Sequence, residues 1–396
     1  MAAERSEAAE RREAAELDRR ILTFLDAAAR AWRADPAELN ALFLTLFAHQ
    51  VRWNPAYARY AAARGAVPDR LTSWKEIPPV PARAFGQMRL ATFPPAAAVR
   101  TFRSSGTSGG PRAVLELDTL ELYEAALLPN FVRHLLPDQA SLTWVALVPD
   151  PLEVTDSSLA YMIGAAADRL SASPSYWVRG GTLDHQGAIA TLAALADARE
   201  PVLLLGTAIA LLALTDALAA AGKTLELAPG SRVMETGGFK GRTRAVERHE
   251  LYGALAERLA VPVHAIVGEY GMTEMVSQFY DSTLVDATGI TADAQPGAHP
   301  NAHAGADPRA PRRKTPPPWV VTLVLDPGTL EPVDEGKEGV LLHFDPCARS
   351  SAVALLTEDR ARRWGDGFEL LGRMPRAGSR GCSLALDDIL RLSVNS

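Results

Sequence analysis

From Leu17 the apolar positions fall at Leu17, Ile21, Leu25, Ala28 and Trp32, the spacing of one helix face. This predicts a helix over residues 1–34, with a solvated Ala/Glu/Arg-rich first half and an apolar stripe that needs a partner surface. Pro36 is expected to end that helix, and Ala41 to Val51 resumes helical spacing. The prolines of "IPPVPARAF" (77–85) impose extended backbone. After residue 113 short, continuously apolar runs alternate with helical segments. "LTWVALVPD" (142–150), "PVLLLGT" (201–207), "SRVMETGG" (231–238) and "VPVHAIV" (261–267) read as strands. "SSLAYMIGAAADRL", a Leu/Ala-rich stretch after Thr207, and "TRAVERHELYGALAERL" read as helices. Strands that are apolar throughout and alternate with helices predict a mainly parallel sheet covered on both faces. Residues 286–312 lack periodicity and are expected to form a surface insertion. From Trp319 the texture changes to short alternating strands with turn signals, a β-rich module, and Leu384 to Leu392 reads as a closing helix.

These patterns divide the chain into a helical segment (1–76), an α/β core (77–318), a β-rich module (319–373) and a short tail (374–396). Charge narrows the function classes. A net charge of −6 provides no general attraction for nucleic acid or acidic membranes. The N-terminus has no apolar stretch of the signal-peptide kind, and the longest apolar run, Val202–Leu214, is too short to cross a bilayer. Two cysteines make no disulfide framework and fit a reducing compartment, so a cytoplasmic protein is expected. The basic residues are nearly all arginine, the lysines being Lys75, Lys223, Lys240, Lys314 and Lys337.

Three stretches carry candidate chemistry. "TFRSSGTSGGPRAVLEL" (101–117) sets a run of Ser, Thr and Gly between two apolar runs, a strand-loop-strand turn. It has neither the Gly-Lys-Ser/Thr ending of a Walker loop nor GxGxxG before a helix. It reads either as a plain turn or as a cradle whose N–H and hydroxyl groups wrap phosphate oxygens, with Arg112 close by. "GEYGMTE" (268–274) follows a predicted parallel strand, at the carboxyl end where open α/β sheets bind ligands. Tyr270 offers a flat face for a purine, Thr273 a hydroxyl and Glu274 a carboxylate for Mg²⁺; taken alone, a Tyr-Gly turn with an exposed Glu is more often structural. "TEDRARRWGDGFELLGR" (357–373) sets Asp359 just after a strand, as an acceptor for two ribose hydroxyls or as a solvated hairpin residue.

In this order and at these separations the three stretches resemble the phosphate loop, the Tyr-x-x-Thr-Glu motif and the ribose-binding Asp of the adenylate-forming superfamily. The chain is more similar to one branch, the acyl-protein synthetases, the fatty-acid-activating subunit of the bacterial bioluminescence fatty acid reductase. "IPPVPARAFG", "DSSLAYMI", "LLLGT", "ETGGFKGR", "PPPWVVTLVLDPGTLEP" and "GFELLGRMPRAGSRGCSLA" add to the likeness, which runs from about residue 77 to 388.

The resemblance implies the large domain of an adenylate-forming enzyme with a truncated C-terminal region. It implies that Ser104, Ser105, Gly106, Thr107, Ser108 and Gly109 hold ATP phosphates, that Tyr270 and Gly271 flank adenine, and that Thr273 and Glu274 position phosphate and Mg²⁺. Asp359 would bind ribose, and Arg373 would stand at the junction with the C-terminal region. The implied reaction activates a carboxylic acid, a fatty acid in the family, as its acyl-adenylate. The acyl group then passes to Cys382 as a thioester, for delivery to an acyl-reductase or acyltransferase partner. The lysine that larger superfamily members carry in a C-terminal domain has no counterpart here, since no lysine follows Lys337; Lys240 in "TGGFKGR" is the candidate for its charge. Cys347, in "FDPCARS", departs from the family's Asp-Leu-Ala-Asn-like run and reads as incidental. Leu- and Ala-rich segments after Gly206 are the expected lining of the acyl pocket. Two other functions fit less of the sequence: a ligase releasing its product to coenzyme A or another small nucleophile, and a nucleotide-binding subunit without turnover.

Overall fold

Burial of Leu17, Ile21, Phe24, Leu25 and Ala28 gives the first helix, Ala2–Ala31, a continuous inner face. A second helix, Pro36–Trp53, starts rather than stops at its proline. The Asp35 carboxylate accepts the N–H groups of Ala37 and Glu38 at 2.7 and 3.1 Å, and Pro36 takes the first helical position, where a missing N–H costs nothing. Asn54 and Pro55 repeat the device for the helix Pro55–Ala63.

The computed structural model describes residues 2–105, 111–237, 246–289 and 307–374. The chain forms two units, one of Met1–Ala126, Met272–Gln278 and Pro316–Ser396, the other of Leu127–Gly271 and Phe279–Thr315. These do not follow the boundaries expected from sequence texture, because the 77–318 stretch contributes to both.

The first unit holds the N-terminal helices, an antiparallel hairpin (Arg100–Arg103 with Val114–Leu117) and an antiparallel sheet. That sheet runs Val321–Leu325, Glu338–Phe344, Ala354–Trp364, Gly367–Arg373 in order, and Val80–Pro81 pairs in parallel with the third strand. The second unit is an eight-strand sheet in the order Thr182–Leu183, Ser175–Arg179, Thr143–Pro149, Val202–Thr207, Arg232–Thr236, Ile266–Tyr270, Phe279–Asp281, Arg313–Thr315. The five strands from Ser175–Arg179 to Ile266–Tyr270 are parallel, and the outer pairings are antiparallel.

The strand expected over 261–267 lies further along, at Ile266–Tyr270, because Val263–Ala265 forms a single 3₁₀ turn after Pro262. The segment 286–312 ends on a residue that is not at the surface: Arg312 is 2% exposed. Its central part, 290–306, lies outside the described residues, as does the expected 384–392 helix. No helix among the described residues is long and apolar enough to cross a membrane.

Candidate active site

In the first unit the hairpin closes at its mouth through Ser104 and Ala113. The Ser104 N–H donates to the Ala113 carbonyl at 3.0 Å, and the Ala113 N–H donates to Ser104 Oγ at 2.9 Å. Arg112 turns back on this base, its Nε donating to the Ser104 carbonyl. Gly106, Thr107, Ser108 and Gly109 lie outside the described residues, and Ser105 is exposed at their entrance.

Asp359 sits on Ala354–Trp364 and is 4% exposed. Arg373 stands opposite it on the next strand, with Nε 3.5 Å from Asp359 Oδ1. The register shifts between Arg360 and Ala361, and Gly372, at φ +102°, takes the left-handed backbone that this irregularity needs. Glycine in "LLGR" thus has a cause: it lets the strand bulge so that Arg373 faces Asp359. Thr357 fixes the near side, its Oγ1 accepting the Asp359 N–H at 3.1 Å and donating to the Leu341 carbonyl at 3.1 Å.

Thr273 and Glu274, both half-buried, share the 272–278 segment, which belongs to the first unit. Tyr270 and Gly271 belong to the second, so the unit boundary falls inside the predicted motif. The 272–278 segment is fastened by Asp345, whose Oδ2 accepts the Ser277 N–H and whose Oδ1 accepts the Cys347 N–H, each at 2.9 Å. Cys347 is buried beside it. Burial, then the Asp345 charge, pushes its thiol well above the ordinary range, so it is no nucleophile. Cys347 is therefore expected to resist iodoacetamide at pH 8 in the folded protein and to react within minutes in guanidinium, as read by peptide mass mapping; ready labelling of the folded chain would contradict this burial.

In the second unit Tyr270 ends the last parallel strand, 6% exposed, with its ring 5.8 Å from that of Phe279. What holds that strand end is a row of side chains that sequence reading did not single out. Glu235, Gly268, Asp281 and Lys314 lie side by side across four neighbouring strands. Asp281 Oδ2 accepts the Gly268 N–H at 2.9 Å, while Lys314 Nζ donates to the Gly268 carbonyl at 2.8 Å and to Asp281 Oδ1 at 2.9 Å. A Cβ on residue 268 would lie 2.8 Å from Asp281 Oδ2, so only glycine admits the pair. Arg312 adds a 2.6 Å contact to Asp281 and lies over the Tyr252 ring, whose hydroxyl donates to Glu235 at 3.0 Å. Burial raises the Asp281 carboxyl, but Lys314 and Arg312 outweigh it and hold it well below the usual carboxylate range. Glu235, more weakly partnered, is raised by burial. On the next row Thr236 donates to Glu269, joining Arg232–Thr236 to Ile266–Tyr270. Glu235 and Thr236 gave a sequence signal, a charge and a hydroxyl at the end of a mainly apolar run, whereas Arg312 and Lys314, in the polar stretch before and within Arg313–Thr315, gave none. Lys240, Cys382 and the residues around them lie outside the described residues.

The strand order of the second unit reverses beside Thr143–Pro149, which has Ser175–Arg179 on one side and Val202–Thr207 on the other. Such a switch point, at the carboxyl ends of parallel strands, is where open α/β sheets take ligands. Comparison with known proteins agrees with this architecture. A solved structure of 2-hydroxyisobutyryl-CoA ligase, in complex with 2-HIB-AMP and CoA, superposes with a TM-score of 0.58 at 14% identity, over 85% of this chain and 74% of that one. The fold is that of the adenylate-forming enzymes.

In sequence, residues 306–391 match the family model described as acyl-protein synthetase, LuxE. The long-chain-fatty-acid–luciferin-component ligase of Vibrio harveyi is 22% identical over 344 residues, 84% of this chain and 83% of the relative. That of Aliivibrio fischeri is 20% identical over 356 residues, 86% and 85% respectively. The chain is a distant relative of these two ligases.

Proposed function

We propose that the protein activates a carboxylic acid, a fatty acid by preference, with ATP and carries the acyl group on its own Cys382. The observation that carries this reading is the buried Asp359 set against Arg373 by the Gly372 bulge, inside the segment that matches the acyl-protein synthetases. A carboxylate oxygen of the acid attacks the α-phosphorus of ATP, the bond to the β-phosphate breaks, and pyrophosphate leaves. The Cys382 thiolate then attacks the acyl carbonyl, a thioester forms, and AMP departs with the electron pair. Asp359 accepts the ribose hydroxyls, Tyr270 and Gly271 flank the adenine, and Ser104 to Gly109 wrap the phosphates.

Mg²⁺ takes few protein carboxylates and completes its shell with water and phosphate oxygens, so a single half-buried carboxylate, Glu274, next in sequence to the hydroxyl residue Thr273, is a fitting donor set. Bound there, the ion would neutralise charge on the departing pyrophosphate. The acid itself would lie near the carboxyl ends of Thr143–Pro149 and Val202–Thr207, beside the Leu/Ala-rich helix Ala208–Ala220. A reductase or acyltransferase would collect the thioester.

ATP–pyrophosphate exchange across acids of graded chain length tests the reading; no exchange with any acid would refute it. Lys240 supplies the cation that larger relatives bring from a C-terminal domain. Lys240→Ala should slow exchange about a hundredfold, the scale for removing one preorganised charge contact at a transition state. Exchange at the parent rate would transfer that role to another cation.

A further inference from the structure

The first helix ends in an unusual way. The Arg33 N–H donates to the Ala28 carbonyl at 3.1 Å and the Trp32 N–H to the Ala29 carbonyl at 3.4 Å, the pair of bonds that closes a helix on a left-handed residue. That residue is ordinarily glycine. Here it is Trp32, at φ +45°, a backbone a bulky side chain adopts only under constraint. The consequence is where the indole goes. Its ring meets Trp319 edge to face, centroids 6.2 Å apart at 74°. Trp319 is fully buried, and its Nε1–H donates to Ser277 Oγ at 3.1 Å. The Ser277 N–H is held in turn by Asp345. A continuous chain of contacts within the first unit therefore runs from the N-terminal helix to the 272–278 segment, which carries Thr273 and Glu274.

We infer that Trp32 and Trp319 are positioning residues for adenylation: the N-terminal helix, through the two indoles and Ser277, sets the placement of Thr273 and Glu274. This rests on the reading above, in which those two residues serve phosphate and Mg²⁺. Its physical content is the strained Trp32 backbone. Glycine at 32 would relax the helix end and delete the ring, so stability and positioning move apart; a helix that merely added stability would gain nothing from an indole held in left-handed backbone.

Trp32→Gly is expected to keep the melting temperature within a few degrees while lowering kcat for ATP–pyrophosphate exchange about tenfold and raising the Mg²⁺ concentration needed for half-maximal rate. Trp319→Phe, which keeps a ring and removes the donor to Ser277, should do the same, and the double variant should be no slower than the worse single one. Trp32→Phe should restore most of the activity. Amide hydrogen exchange gives a readout independent of turnover, in which Ser277 should exchange about tenfold faster in Trp32→Gly. Parental kcat and Mg²⁺ dependence in both single variants, or independent multiplying losses, would overturn the inference. If the parent protein exchanges with no acid at all, the proposed function fails instead, and unchanged Ser277 protection in Trp32→Gly would by itself sink the coupling.

Discussion

Cys382→Ser should abolish hydroxylamine-labile labelling of the protein by a radioactive acid while ATP–pyrophosphate exchange continues at the parent rate. Adenylation needs nucleotide, acid and charge neutralisation but no thiol, so the two measurements separate the two half-reactions. Serine is a poor substitute because its hydroxyl is un-ionised at neutral pH, whereas a cysteine two residues from Arg380 is favoured as thiolate. Cys347 is the internal control, since its thiol is buried and pushed up by that burial and by Asp345. Cys347→Ser should leave labelling unchanged. Labelling that survives Cys382→Ser, or efficient transfer to free coenzyme A without Cys382, would replace self-acylation with release to a small nucleophile.

Asp359→Ala should weaken ATP binding by two to four orders of magnitude in calorimetry. A hydrogen bond to a charged acceptor contributes about 1.5–3 kcal/mol, and two ribose hydroxyls would lose theirs together, about 3–6 kcal/mol in all. Arg373 is 41% exposed at its side chain, so its 3.5 Å contact with Asp359 adds little to stability and the variant should fold. Binding with an unchanged dissociation constant would remove Asp359 from the nucleotide site and leave it a strand residue paired to an arginine.

Much of this was legible without coordinates. The strand-turn-strand pattern of 357–373 was legible, but Asp359, expected just after a strand, lies within Ala354–Trp364, because the strand continues through the mostly charged residues 359–363, which give no apolar alternation. The Ser/Gly run after Arg103 was readable as a strand-loop-strand turn, and its flanks do pair as Arg100–Arg103 with Val114–Leu117. Pro36 was misread because proline is compatible with both ends of a helix, and only the Asp35 cap distinguishes them. The strand before Tyr270 was displaced because Pro262 and a 3₁₀ turn have no periodic signature in so short a run.

By itself the sequence determined the alternation of parallel strands and helices, the β-rich module after Trp319, and the order of three motifs that resemble those of acyl-protein synthetases. Each depends on residues close together in the chain, where spacing and turn chemistry are visible. Tertiary structure alone decided that Lys314, 46 residues from Gly268, would clamp the strand ending in Tyr270, and that Trp32 would reach Trp319. It also decided that Tyr270 and Glu274, four residues apart, fall in different units. The reason is physical: periodicity reports which face of its own element a residue takes, whereas cross-strand register and buried charge pairing join elements whose separation in sequence carries no signal.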